Sequence, residues 1–119
     1  MAHHHWKDLL VWQKAHGLVI EIYSITSSFP ETERYNLTSQ ARKAGSSVPL
    51  NIVEGHSRSS AKEFQRFLYI SRGSIEELRY IMLLAKDLDY IDDEIYQDVE
   101  KKCSEISILI NKLIKSFNK

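Results

Sequence analysis

The sequence predicts an all-α protein, an antiparallel up-down-up-down four-helix bundle. Apolar residues recur at spacings of three and four in four long stretches, the period of a helix face. Only four glycines and two prolines interrupt 119 residues. The connections between the stretches are short, which makes successive helices neighbours in a bundle. No segment alternates apolar and polar residues as a strand would. A chain of this length is expected to hold one domain with one core.

Residues 1–5 read as a flexible terminus, with His3, His4 and His5 either a tag remnant or an accidental run. The first helix is expected over about 6–27. Leu9, Trp12, His16, Val19, Tyr23 and Thr26 form its seam, and a second apolar set, Val11, Leu18, Ile22 and Ile25, lies outside that seam. So much apolar surface exceeds one seam, so the second set meets either a wide intramolecular core or another subunit, and it is assigned to the subunit contact. Pro30, Glu31 and Glu33 suit the start of the second helix, expected over 31–54. Pro49 falls inside it and predicts a kink near residues 45–49, with two shorter helices as the competing reading and Gly55 as the C-terminal glycine.

Ser60 and Glu63 have capping-box spacing and open the third helix, about 60–88. Its seam is Phe64, Leu68, Ser71, Ile75, Leu78, Met82 and Ala85. Asp89 to Asp93 form the next turn, with Asp92 as N-cap of a fourth helix over about 92–117. That helix carries Ile95, Val99, Ile106, Leu109, Leu113 and Phe117 on one side.

Composition argues against several functions. No apolar run reaches the ~18 residues of a membrane span, and no signal-peptide pattern is visible, so a cytoplasmic location without a membrane partner is expected. The single cysteine, Cys103, makes no internal disulfide and reads as a packed thiol. No Glu-x-x-His pair builds a bundle metal site, and Gly45, Gly55 and Gly73 are too scattered for a phosphate loop. The expectation is a non-enzymatic protein with no metal and no cofactor.

Charge distribution is more informative than the formal net charge of zero. Residues 34–86 carry nine basic and four acidic side chains, while residues 87–100 carry seven acidic and no basic ones. Arg58, Lys62, Arg66 and Arg72, with Tyr69 among them, share one side of the third helix. Such a stripe suits phosphates along a nucleic acid, with Tyr69 available for stacking. The alternative is a solvated helix face, since Glu63 and Glu76 border it. The acidic block suits a basic surface on another subunit.

Three stretches carry a family resemblance: Asp8-Leu9-Leu10-Val11-Trp12-Gln13-Lys14-Ala15, Phe29 through Gln40, and Ser47-Val48-Pro49-Leu50-Asn51-Ile52-Val53-Glu54-Gly55. The segment Arg72-Gly73-Ser74-Ile75-Glu76-Glu77-Leu78 adds a fourth. Together they resemble the four-helix-bundle proteins encoded within intervening sequences of bacterial 23S ribosomal RNA genes. The resemblance implies a ring of subunits, typically a homopentamer. It also implies kinship with the accessory variability determinant of diversity-generating retroelements, a basic barrel that binds nucleic acid and a reverse transcriptase. The family has no established enzymatic activity, and its link to RNA rests on gene location. The chain departs from the pattern in having Arg42-Lys43 where paired arginines are usual, and in its neutral balance.

Within the motif, Asn51 and Glu54 lie on one side of the second helix. They read either as a latch to Arg58 and the third helix or as a partner contact. Gln40 and Arg42 stand earlier on that helix, where Arg42 pairs with a carboxylate such as Glu77 or faces a phosphate. The resulting expectation is an oligomeric bundle that binds structured RNA, or DNA, through Arg42, Lys43, Arg58, Lys62, Arg66, Tyr69 and Arg72. The second expectation is a protein-interaction scaffold, for example for a reverse transcriptase.

Overall fold

A computed structural model describes residues 5–118 of the chain. His3 and His4 of the expected flexible terminus lie outside the described residues. Four helices form the bundle: α1 Leu10–Thr26, α2 Leu37–His56, α3 Ala61–Asp87 and α4 Asp93–Ser116. No strand occurs among the described residues, and the bundle measures 47 × 23 × 20 Å. Polar ties at Gln65 with Ile114, Arg72 with Asn111, Arg79 with Ser104 and Lys86 with Asp93 ascend α3 while descending α4. That register is the one an antiparallel pair requires.

The first helix is shorter than expected. Trp6–Asp8 form a single 3-10 turn, Leu9 is extended, and α1 begins at Leu10. Its inward face also differs. Val11, Ala15, Leu18 and Ile22 are buried, with Ile25 partly buried beside them, whereas His16 and Tyr23 of the expected seam are exposed. The set assigned to a subunit contact is therefore the monomer core. Both faces satisfy the helical period, so periodicity does not rank them. Packing does, because helix axes ~8–10 Å apart accept Val, Ala, Leu and Ile more readily than the large rings of Trp12 and Tyr23. Trp12, partly buried at the edge of the core, stacks on the exposed His16 ring with centroids 4.9 Å apart.

The second helix starts later than expected, at Leu37, because Glu31–Glu33 form another 3-10 turn. Glu33 Oε1 accepts from the Leu37 amide at 3.3 Å and from Asn36 Nδ2 at 3.2 Å, so this carboxylate stands outside α2 and caps it. The helix then runs through Pro49 to His56 as one element, and two shorter helices are not what the chain forms. Gly55 is not a terminal glycine. It sits within the helix with ordinary helical backbone, and a Cβ there would lie 2.8 Å from Phe67 Cβ and 2.9 Å from Phe64 Cδ1. Its role is close approach of α2 to α3.

The caps expected for the last two helices are present. Ser60 Oγ accepts from the Glu63 amide at 3.1 Å and Asp92 Oδ1 from the Ile95 amide at 2.8 Å. All seven seam residues expected on α3 are buried. Between α3 and α4, Asp89 takes φ 63°, and Tyr90 N reaches Ala85 O at 2.8 Å while Asp89 N reaches Lys86 O at 2.9 Å. This is the paired closure of a left-handed helix end, made with Asp instead of Gly. It brings Tyr90 against Phe29, with centroids 5.5 Å apart, and its hydroxyl to Glu33 Oε2 at 2.7 Å.

Candidate nucleic-acid interface

The basic residues expected to form one stripe divide into two groups. Arg58 lies in the turn before α3, where its guanidinium meets Glu54 Oε2 at 2.9 Å and covers the Phe67 ring at 4.9 Å. Arg66 approaches the same ring at 5.7 Å, so Phe67 gathers two cations while Lys62 stands exposed nearby in sequence. Arg72 belongs to a different set. It covers Tyr69 at 4.8 Å, but its Nη1 donates to Asn111 Oδ1 at 2.8 Å, one of the ties that join α3 to α4. Gln65, Arg72, Arg79 and Lys86 recur every seven residues and face α4 throughout. Arg79, which the sequence reading passed over, bridges Glu76 at 2.8 Å and Glu100 at 2.7 Å and also bonds Ser104.

Arg42 and Lys43 diverge by one helical step on α2, with Lys43 standing between the α1 side and the α3 side. Arg42 does not reach Glu77; its Nε donates to Thr26 Oγ1 at 2.9 Å and its guanidinium covers Tyr23 at 4.6 Å, both on α1. Lys43, with Gln40, Ser47 and Glu77, borders a cleft of about 290 Å³ between α2 and α3. Gln40 also donates to Asn36 Oδ1 at 2.8 Å. The second residue of a pair in sequence thus faces a different neighbour, as a ~100° step on a helix requires.

The motif residues Asn51 and Glu54 separate too. Glu54 holds Arg58, whereas Asn51 Nδ2 donates to Ser47 O at 2.8 Å and to Ser47 Oγ at 2.9 Å. Ser47 and Ser74 share a hydrogen bond of 2.8 Å, and Ser74 Oγ donates to Ile70 O at 3.2 Å. One donor direction satisfies every bond in this chain, from Asn51 through Ser47 and Ser74 to the Ile70 carbonyl. Ser71 Oγ separately donates to Val48 O at 2.8 Å in the fully buried seam. These small polar side chains let α2 and α3 lie close while leaving no hydroxyl proton unplaced. The spacing of serines on two distant segments carried no signal of this pairing.

The remaining chemistry is quiet. Burial pushes the Cys103 thiol up to about 12, well away from a reactive thiolate. No helix among the described residues is long and apolar enough to cross a membrane.

The fold and this surface define a small four-helix-bundle protein in which some charged groups tie helices together and others stand on open surface. The chain belongs to the family described as 23S rRNA-intervening sequence protein, which matches residues 7–112. A solved structure similar to it is a protein with unknown function from the S23 ribosomal protein family of Bacteroides thetaiotaomicron VPI-5482. The two are 25% identical and superpose with a TM-score of 0.80, over 89% of this chain and 99% of that one. Among curated proteins none matches the chain.

Proposed function

We propose that this chain is a non-enzymatic, oligomeric protein of the cytoplasm that binds structured RNA through its basic surface. The observation that carries the reading is the Phe67 cluster, where Arg58 and Arg66 share one ring beside exposed Lys62. Concentrated cations on open surface favour phosphates, whose neutralisation releases counterions. The family's tie to 23S ribosomal RNA genes makes an rRNA segment the first ligand to test. The test is affinity for a structured ribosomal RNA fragment and a DNA duplex of equal length at ~50 and ~200 mM salt. Tight binding that weakens steeply with salt and is lost on reversing Arg58, Lys62 and Arg66 is the expected result. Unchanged affinity in that triple variant would refute the surface assignment.

A second reading, a protein-interaction ring such as one serving a reverse transcriptase, is favoured by apolar side chains left on the outside. Ile20 is 59% exposed, Ile108 55% and Tyr80 63%. The assembly expected is a homopentamer. Light scattering on an Ile20→Lys, Ile108→Lys variant should then show folded, smaller particles. A co-purifying protein that survives nuclease treatment would favour this reading over RNA.

A further inference from the structure

Alongside the Phe67 cluster, the molecule has a second basic surface, and this one is concave. Where α1, the 3-10 turn after it and the first half of α2 converge, a recess of about 440 Å³ is lined by Tyr23, Arg34, Tyr35, Ser39, Arg42 and Lys43, with two further hydroxyl residues. None of its lining residues is acidic. Arg34 does contact Glu31 at 3.4 Å, but both side chains are largely in solvent, 64% and 84% exposed, where such a pair holds little energy.

Arg42 is held in place before any ligand arrives. Thr26, buried in α1, donates its hydroxyl proton to Ile22 O at 2.7 Å, so its oxygen is free to accept from Arg42 Nε at 2.9 Å. Arg42 Nη2 lies 3.4 Å from Tyr23 O and the guanidinium covers the Tyr23 ring. Every contact of this cation is to a neutral group, so its charge is oriented but not compensated. That is the state of a phosphate-binding arginine awaiting its anion.

The tyrosines narrow the ligand class. Tyr35 is 87% exposed, with Arg34 at 5.3 Å from its ring, and Tyr23 is 47% exposed. Rings held at the rim of a cationic recess contribute little to this fold's core. They offer flat surfaces on which a base can stack, and a base is free to stack there only where it is not paired within a duplex.

We infer that this recess binds a single-stranded nucleic-acid segment, with Arg34, Arg42 and Lys43 on its phosphodiesters and an unpaired base stacked on Tyr35. The assignment rests on the nucleic-acid reading above and moves its specific contact from α3 to the α1–α2 side. Thr26 acts here as a positioning residue for Arg42.

The experiment is an NMR titration of the isotope-labelled full chain with a 5′-phosphorylated uridine trinucleotide, the thymidine trinucleotide and inorganic phosphate. Saturable shifts at the Tyr35, Ser39 and Lys43 amides and at Arg42 Nε are expected with the trinucleotides. Tyr35→Ala should weaken binding about tenfold, the size of one lost stack, while Tyr35→Phe keeps the ring and the affinity. Thr26→Val should leave the fold's amide spectrum intact but broaden the Arg42 Nε signal and weaken binding with it. A stronger response to the uridine than to the thymidine trinucleotide would identify RNA as the source, and the reverse DNA. Phosphate alone binding as well as a trinucleotide would overturn the stacking assignment. Shifts confined to Lys62 and Arg66 would overturn the recess and leave the RNA reading standing. Conversely, a recess that fills with trinucleotide in a protein that ignores structured RNA would sustain this inference and sink that reading.

Discussion

The α2–α3 and α1–α4 seams of the bundle are built on opposite plans. Between α2 and α3 the contact is made by Gly55, Ser47, Ser71 and Ser74, and every hydroxyl there is bonded across or along the seam. Between α1 and α4 the polar ties are long charged side chains: Lys14 reaches Glu105 at 3.9 Å, and Lys102 pairs with Glu21 across the seam and with Asp98 on its own helix. Open spaces of about 270 and 470 Å³ remain beside them. Small side chains let backbones approach and bond across the seam, whereas ion pairs in half-exposed positions span a wider gap and are screened. The bundle is therefore a tight central hairpin with a looser closing edge.

The two seams each contain a helical glycine, so one substitution made twice tests the contrast. Gly55→Ala places a Cβ 2.8 Å from Phe67 Cβ, an atom that moves only with the α3 backbone. Overpacking of that kind costs about 1–3 kcal/mol, against roughly 1 kcal/mol of helix propensity gained. Net destabilisation in urea unfolding is expected. A Gly55→Ala variant as stable as the parent would mean that α2 and α3 are not in the close contact described.

Much of this was legible in the sequence. The α3 seam, from Phe64 to Ala85, was readable because only one face of that helix is apolar enough to bury. The caps at Ser60 and Asp92 were readable because capping is a local contact over three residues. The inward face of α1 was not, because two apolar faces compete and the winner depends on the partner's shape. Gly55 misled for a related reason. Placed near a helix end it looks terminal, and its real constraint is a phenylalanine twelve positions away on another helix. The candidate site was the least legible part. Arg42 and Lys43 were identified, but Tyr23, Arg34 and Tyr35 join them only through the tertiary fold, and Arg72 was drawn away by Asn111, 39 residues downstream.

The next effect in size sharpens what the serines contribute. Ser71 is fully buried and donates to the Val48 carbonyl, so Ser71→Ala removes one satisfied hydrogen bond without opening a cavity. A loss of about 1 kcal/mol is expected. A larger loss would point to cooperation with the neighbouring Ser47–Ser74 chain, which a Ser71→Ala, Ser74→Ala double-mutant cycle would measure.

On the looser edge the sign reverses. Gly17 borders the smaller α1–α4 space, and a Cβ there would meet nothing within 4 Å. Gly17→Ala should stabilise the protein by about 0.5–1 kcal/mol, because a mid-helix glycine loses more backbone entropy on folding than alanine does. Destabilisation by this variant would mean that α1 and α4 approach more closely than the open spaces beside them allow, and the contrast between the seams would fail.

The smallest effect concerns a tie that belongs to neither seam. Tyr90, in the α3–α4 turn, donates to Glu33, in the α1–α2 turn, and so fastens the two connections at one end of the bundle. The Tyr90 hydroxyl, followed by the Leu37 amide, holds the Glu33 carboxyl below its ordinary value, and the Glu33 carboxylate pushes Tyr90 above its own. The lowered carboxyl contributes stability above its unfolded pKa that disappears as pH falls through the lower folded value. The raised phenol contributes stability below its unfolded pKa that disappears as pH rises through the higher folded value. The difference between the parent and Tyr90→Phe should therefore be greatest near neutrality and vanish at both extremes. Urea midpoints of the two proteins measured across pH would show this as converging acid and alkaline limbs. No difference between the two proteins at any pH would assign Tyr90's contribution to its ring packing on Phe29 instead. The two hairpins would then be joined at this end by apolar contact, with the ionised pair contributing nothing measurable.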